Sequence, residues 1–146
     1  MYVNHEKVLP LDKIHLVGKH NRQNIIIAIT AAKLLGISNE DIIETIDSFK
    51  GVEHRIEYVR TLDGVSYYND SKGTNTDATI TALDSFEKGV ILLVGGYEKG
   101  LDMSEMRKHL ACVKQIIGFG ASGKRIASVG VAPDRVYRAT LSPTCR

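Results

Sequence analysis

The pattern of apolar and polar positions in the first third of the chain predicts a pair of helices. Over Asn21–Leu35 apolar residues recur every three or four positions, the spacing of one buried helix face, and Gly36 follows as a C-cap. Ser38 is an N-cap for a second helix predicted over Asn39–Phe49. The two helices make an antiparallel pair. Two strand-like pieces without a core of their own precede it, at residues 7–11 and 13–17.

After Gly51 the pattern changes to strands that alternate with helices. The dipeptide Asp63-Gly64, typical of a hairpin turn, lies between strands predicted at 55–61 and 65–69. The continuous apolar run Val90–Val94 predicts a central parallel strand buried on both faces. The remaining predicted elements are strands at 113–117 and 135–139 and helices at 76–86, 103–110 and 122–129. Together they predict an α/β fold, an open and mostly parallel sheet with flanking helices.

The change of pattern predicts a domain boundary after Lys50, which divides the chain into residues 1–50 and 51–146. Sites in open α/β sheets gather beyond the carboxyl ends of the strands. Two polar clusters fall at such ends, at residues 69–72 and 95–99.

Composition narrows the function class. The chain is 43% hydrophobic and 25% charged, a globular balance, and its net charge of +2 is too small to indicate nucleic acid or a membrane surface as partner. Cys112 and Cys145 match neither a disulfide framework nor a metal site, which indicates a reducing cytoplasm. The apolar runs are far shorter than the roughly 20 residues of a membrane helix. We therefore expect a soluble protein without a metal cluster.

A glycine-rich segment, Gly118–Gly123, matches G-x-G-x-x-G between a predicted strand and a predicted helix. One interpretation is a dinucleotide site with pyrophosphate at the helix N-terminus. The stretch also nearly fits a P-loop, but Arg125 stands where that motif has Ser or Thr. The alternative is a tight strand-to-helix turn that requires glycine.

The polar segment 69–75 carries candidate chemistry after a predicted strand. Lys72 can hold an anion, and Asp70 can hold a ribose or a metal. The alternative is a solvated loop in which Thr74 or Asn75 caps the following helix.

Two further pairs are candidates for nucleotide contacts. His54 and Arg55 precede a strand, and arginine is the bidentate ligand for phosphate. Asn21 and Asn24 lie three residues apart and share a helix face, where paired amides can recognise an adenine edge. The alternatives are an ordinary surface pair for the first and helix capping by Asn21 for the second.

Taken in order, four motifs resemble those of the Mur ligases. They are Gly18-Lys19-His20-Asn21-x-x-Asn24, Phe49-Lys50-Gly51-x-x-His54-Arg55-x-Glu57, Asn69-Asp70-Ser71-Lys72-Gly73-Thr74-Asn75 and Gly95-Gly96-x-x-Lys99. Within the family, the third motif is similar to that of the members that add D-glutamate.

The resemblance implies a three-domain enzyme in which this chain holds the end of the central ATP-binding domain and most of a Rossmann-like C-terminal domain. It implies ATP- and Mg²⁺-dependent ligation of D-glutamate to UDP-N-acetylmuramoyl-L-alanine through an acyl phosphate, for peptidoglycan synthesis, by a cytoplasmic enzyme that is a monomer at full length. The implied roles are nucleotide binding for Asn21, Asn24, His54 and Asp70, catalysis for Arg55 and Lys72, and D-glutamate binding for Thr74, Lys99 and Ser142.

The sequence also departs from the family pattern. Its 146 residues contain no P-loop and no UDP-substrate domain, so we expect a C-terminal fragment that is inactive alone. Leu141–Cys145 resembles a late family motif but comes earlier than it should. The alternative function is a non-catalytic nucleotide-binding module that uses the loop Gly118–Lys124, and a further one is a degenerate fragment without a function of its own.

Overall fold

The computed structural model describes residues 1–3, 5–100, 102–129 and 136–138, and it divides into two compact units, Met1–Lys72 and Gly73–Arg146. The first unit contains the helical pair and the hairpin, and the second contains the parallel sheet. The units divide after Lys72, whereas the sequence places the domain boundary after Lys50. That boundary stays a prediction. Among the described residues no helix is long and apolar enough to cross a membrane.

The first unit is built on two helices, α1 (Lys19–Leu34) and α2 (Asn39–Ser48). Ser38 caps α2 as predicted, since its hydroxyl accepts a hydrogen bond from the Asp41 amide at 3.1 Å. Only part of the predicted apolar face of α1 is buried. Ile25 and Ile29 are buried, but Leu35, which follows the last residue of the helix, is 80% exposed.

The chain before α1 differs from the prediction. Strands β1 (Tyr2–Val3) and β2 (Glu6–Lys7) pair antiparallel, and Leu11–Lys13 is a 3₁₀ turn, so the strands predicted at 7–11 and 13–17 are wrong. Pro10 explains the first error, because it has no amide hydrogen for a strand ladder and leads directly into the 3₁₀ turn. The apolar residues of this stretch complete the core of the unit, which consists of Val8, Leu9, Ile25, Ile29 and Ile42.

Strands β3 (Glu57–Leu62) and β4 (Val65–Asn69) form the predicted hairpin as a two-stranded antiparallel sheet of their own. Asp63 and Gly64 both have positive φ, 50° and 77°, which is the conformation of the tight hairpin turns that favour Asp-Gly. The register therefore brings the two ends of the hairpin, Glu57 and Asn69, opposite each other.

In the second unit, strands β5 (Val90–Gly96), β6 (Val113–Gly120) and β7 (Val136–Arg138) form a parallel sheet in the order β5-β6-β7. Helix α3 (Thr76–Leu83) precedes β5, a 3₁₀ segment (Glu105–Cys112) joins β5 to β6, and the short helix α4 (Gly123–Ala127) follows β6. The α/β prediction is thus confirmed. The core consists of Leu83, Met106, Leu110, Cys112, Val113, Ile116, Ile126 and Val129.

The prediction that Val90–Val94 is central and buried on both faces is wrong. Within the described strands β6 is central, and its Ile116 is fully buried. Along β5 the residues alternate between partly buried and exposed, and Leu93 is 66% exposed. The partly buried side chains of β5 pack on the apolar core of the unit. This unit therefore buries one face of the strand, although both faces are apolar.

Candidate functional site

Five polar residues gather where the hairpin ends, and we call them the hairpin-end cluster: His54, Glu57, Asn69, Asp70 and Lys72. The Asn69 amide nitrogen donates to His54 Nδ1 at 2.8 Å and to Glu57 Oε2 at 3.3 Å. The Asn69 amide oxygen accepts from the Ser71 backbone N–H at 3.1 Å. That backbone contact fixes which way the amide points, because only its oxygen can accept a hydrogen bond.

The segment before β3 has an uncommon backbone that the cluster holds in place. His54 and Ile56 have positive φ values, 66° and 46°, which cost energy for non-glycine residues and most for a β-branched one. The His54 amide donates to Glu57 Oε2 at 2.8 Å, and the Ile56 amide donates to Asp70 Oδ1 at 3.0 Å. The two carboxylates therefore hold a strained turn at whose centre the exposed Arg55 is placed.

Among the residues predicted as sites, the structure brings His54, Asp70 and Lys72 together. The Lys72 amide donates to the His54 carbonyl at 3.0 Å, and the ammonium side chain is exposed. One oxygen of Asp70 is occupied by the Ile56 amide. Glu57 and Asn69 also belong to the motifs, but neither was predicted as a site residue, although both orient the other residues of the cluster. Their position at opposite ends of one hairpin could have indicated this role.

Asn21 and Asn24 lie in the first turns of α1 and contact each other as their spacing predicts. The Asn21 amide nitrogen donates to the Val17 carbonyl at 2.7 Å, and the Asn24 amide nitrogen approaches Asn21 Oδ1 at 3.5 Å. The helix is capped by the backbone of Gly18 and not by the Asn21 side chain. Asn21 therefore anchors the helix start through one of its two amide N–H groups, and Asn24 is exposed.

In the second unit, Lys99 lies in residues 95–100, which comprise the last two residues of β5 and the turn after it, and we call this segment the Lys99 loop. The Lys99 ammonium lies 3.5 Å from the Thr74 carbonyl oxygen, so the two residues predicted to bind D-glutamate are neighbours. Asn75 caps α3 by accepting from the Ala78 amide at 2.8 Å, as the capping alternative predicts. The third predicted residue, Ser142, lies outside the described residues, as does the segment Leu141–Cys145.

A paired carboxylate, that of Glu98, directly precedes the lysine in the Lys99 loop. Glu98 accepts from both Arg125 Nη2 at 2.7 Å and Arg125 Nε at 3.0 Å, and also from the Gly100 amide at 2.7 Å. These donors, Arg125 first, hold the pKa of the Glu98 carboxyl below its ordinary value. Hydrogen bonding to Glu98 likewise raises the pKa of the Arg125 guanidinium. Glu98 is therefore ionised and paired at neutral pH.

The glycines of Gly118–Gly123 allow close backbone packing. A Cβ at Gly118 would lie 2.6 Å from the Gly123 carbonyl oxygen, and a Cβ at Gly120 would lie 2.9 Å from that of Gly96. Helix α4 has only five residues. The geometry favours the strand-to-helix turn over the dinucleotide interpretation.

In the part of the chain that the structure describes, no group of three His, Cys, Asp or Glu side chains could hold a metal ion. The exposed basic groups of the candidate residues, Arg55, Lys72 and Lys99, are suited to anions instead.

Comparison with known proteins identifies relatives of this chain. No protein-family model matches it. It is 43% identical over 129 residues to the UDP-N-acetylmuramoylalanine–D-glutamate ligase of Leuconostoc citreum, covering 88% of this chain and 29% of the relative. The ligase of the same name from Bacillus subtilis is 42% identical over 127 residues, which are 87% of this chain and 28% of that protein.

A solved structure resembles the fold. The UDP-N-acetylmuramate–alanine ligase of Thermotoga maritima matches 86% of this chain and 30% of its own, with a TM-score of 0.66 at 20% identity. The chain thus spans less than a third of the length of these proteins. The resemblance stated from the four motifs is confirmed: over most of its own length the chain is similar to D-glutamate-adding members of the Mur ligase family, as expected for a C-terminal fragment.

Proposed function

We propose that this chain is part of a cytoplasmic, ATP-dependent enzyme that joins D-glutamate to UDP-N-acetylmuramoyl-L-alanine in peptidoglycan synthesis. The observation that carries the proposal is the contact between the loops of Thr74 and Lys99, in a chain whose relatives are named as D-glutamate ligases. The proposed reaction class agrees with the names of these relatives. The assignment of substrate contacts to particular residues is part of the proposal.

The negative charge of D-glutamate accounts for the presence of a lysine beside Thr74. The amino acid carries two carboxylates, and an unpaired charge in a closed site is costly. An ammonium has three donors, and Lys99 uses one in a long contact of 3.5 Å with the Thr74 carbonyl. The remaining donors, with the hydroxyl of the exposed Thr74, are suited to one of the two carboxylates.

The proposed reaction has two steps. The γ-phosphoryl group of ATP is transferred to the carboxylate of UDP-N-acetylmuramoyl-L-alanine, which releases ADP and gives an acyl phosphate. The amine of D-glutamate then attacks the acyl carbon and loses a proton to solvent, the new amide bond forms, and inorganic phosphate leaves with the electron pair of the broken carbon–oxygen bond. Negative charge develops on phosphate oxygens in both steps, and fixed cations stabilise it.

In this scheme Arg55 and Lys72 supply positive charge to the phosphates. Nucleotide contacts are assigned to the amides of Asn21 and Asn24 at the adenine, to one oxygen of Asp70 at the ribose, and to His54. Asn69 donates to His54 Nδ1, so the neutral ring carries its hydrogen on Nε2, where it can donate to a phosphate oxygen.

Mg²⁺ is expected with ATP, but the described residues contain no group of three ligating side chains. We therefore assign its ligands to no residue of the described chain.

The test uses a full-length ligase that contains this sequence. Lys99→Ala should raise the KM for D-glutamate at least tenfold, which corresponds to about 1.4 kcal/mol, and should leave the KM for ATP nearly unchanged. Lys88→Ala, at another exposed loop lysine, is the matched control and should change neither constant. An equal rise in both KM values for Lys99→Ala would assign the lysine to the phosphates or to the fold.

A further inference from the structure

The Lys99 loop is attached to the start of α4 at two points. At its beginning, the Gly96 carbonyl accepts hydrogen bonds from the backbone N–H of Ser122 at 3.1 Å and from its hydroxyl at 3.3 Å. Ser122 is buried, so this attachment is shielded from water. Near the end of the loop, Glu98 holds the side chain of Arg125 and the backbone of Gly100. Lys99 therefore lies in a short turn that is closed by the hydrogen bond from the Gly100 amide to the Glu98 carboxylate.

The pairing of Glu98 with Arg125 is of the geometrically specific kind. Both carboxylate oxygens face two different nitrogens of the guanidinium, at 3.0 and 2.7 Å, which is the fork arrangement that only arginine offers. Both side chains are 39% exposed. Such an exposed pair adds little to the stability of a fold, and its position beside Lys99 suggests a role in the site instead.

The glycine motif makes this pairing possible. Gly118 and Gly123 pack against each other within the strand-to-helix turn, and Gly120 packs directly on the backbone of Gly96 in the Lys99 loop. A Cβ at Gly120 would lie 2.9 Å from the carbonyl oxygen and 3.0 Å from the amide nitrogen of Gly96. The close approach brings Arg125, which replaces the Ser or Thr of a P-loop, within reach of Glu98.

We propose that Glu98 and Arg125 together set the charge that positions D-glutamate at Lys99, because Arg125 neutralises the carboxylate next to Lys99. The inference rests on the proposed function and adds two residues to it. An anionic amino acid that approaches Lys99 also approaches Glu98, its neighbour in the chain. Arg125 offsets the charge of Glu98 and also interacts with Asp102, so its removal makes the surroundings of Lys99 more negative by one charge and weakens the attraction for a dianion.

The test is a charge-balance cycle in the full-length ligase that contains this sequence. Arg125→Met should raise the KM for D-glutamate about tenfold while kcat and the KM for ATP change less than about twofold. The double variant Glu98→Gln with Arg125→Met restores the charge balance, so its KM should fall back to within about threefold of the parent. Arg125→Lys keeps the charge without the fork and should also stay within about threefold.

A purely structural role of the pair predicts a different ranking of the variants by their KM for D-glutamate. If the pair only held the fold, the double variant would be at least as impaired as Arg125→Met, and kcat and both KM values would change together. That order would overturn the proposal. The control is Lys108→Met, because Lys108 forms an exposed ion pair with Glu105 in the same unit, with contacts of 2.8 and 2.9 Å, but away from Lys99 in sequence. It should leave all three constants unchanged.

A measurement on the 146-residue chain checks the geometry without activity. In an NMR titration, Arg125→Met should raise the pKa of the Glu98 carboxyl towards its ordinary value, because the largest cause of its lowering is removed, and should speed exchange of the Gly100 amide hydrogen. An unchanged pKa and an unchanged exchange rate would overturn the pairing.

The two proposals fail differently. If Lys99→Ala leaves the KM for D-glutamate unchanged, the substrate assignment itself is wrong. If Lys99→Ala raises it but Arg125→Met does not, only the positioning role is wrong.

Discussion

At the scale of single residues, Asn69 is the side chain that connects the hairpin-end cluster. Its oxygen is held by the Ser71 backbone, and its nitrogen contacts both His54 and Glu57. It thereby selects the tautomer of His54, and it shares Glu57 with the strained backbone at position 54. One amide thus sets both the proton position and the surroundings of a candidate phosphate ligand.

We predict that Asn69→Ala lowers the free energy of unfolding of the 146-residue chain by about 1–2 kcal/mol, because three hydrogen bonds of a partly buried side chain are lost. Ser66→Ala on the same strand removes one exposed hydroxyl contact, at 2.9 Å to Thr61, and should cost less than about 0.5 kcal/mol. Urea denaturation of both variants measures the difference. Equal losses would mean that the Asn69 contacts do not stabilise the turn.

The hydrogen bonds of Asn69 could not be predicted from the sequence, for a physical reason. Residue type alone indicated His54 and Asp70, because imidazole and carboxylate groups suit nucleotides. The partners of these groups depend on the hairpin register and on two positive φ values, which no periodicity encodes. A β-branched residue such as Ile56 is not expected in that conformation, so the turn could not be predicted from propensity.

At the scale of elements, the predictions that rested on turn residues and helix-capping residues were correct. Asp63-Gly64 forms the expected hairpin turn, and Ser38 and Asn75 cap the expected helices. The errors arose where apolar composition alone was used. The run Val90–Val94 is apolar on both faces, but the second unit covers only one of them.

The glycine turn after β6 leads to a prediction at this scale. Gly120→Ala adds a Cβ 2.9 Å from the Gly96 carbonyl oxygen at a position with φ of 65°, so both a clash and an unfavourable backbone oppose it. Gly89→Ala is the matched control, since Gly89 has φ of 80° and open space around it. Gly120→Ala should lower the free energy of unfolding by about 1–3 kcal/mol more than the control does.

Thermal or urea unfolding of the two variants checks this. If Gly120→Ala and Gly89→Ala cost the same, the close approach of the turn to the Lys99 loop is wrong, and the explanation of how Arg125 reaches Glu98 is lost with it.

At the scale of the whole molecule, the candidate residues fall into two groups that differ in chemistry. The first unit carries His54, Arg55, Asp70 and Lys72, which suit a nucleotide and its phosphates. The second unit carries Thr74 and Lys99, which suit a small dicarboxylate. The motifs gave both groups from the sequence, and the structure adds what orients each of them: Asn69 and Glu57 in the first, and Arg125 with Glu98 in the second.

The central claim is that this chain contributes to a ligase that selects D-glutamate. The most direct measurement is product formation by a full-length ligase containing this sequence, supplied with ATP, Mg²⁺ and UDP-N-acetylmuramoyl-L-alanine, with one amino acid added at a time. We predict ADP release and a new amide-linked product with D-glutamate, and rates at least a hundredfold lower, about 2.7 kcal/mol, with L-glutamate, L-alanine or L-lysine. A product formed equally well with another amino acid, or none with D-glutamate, would contradict the account.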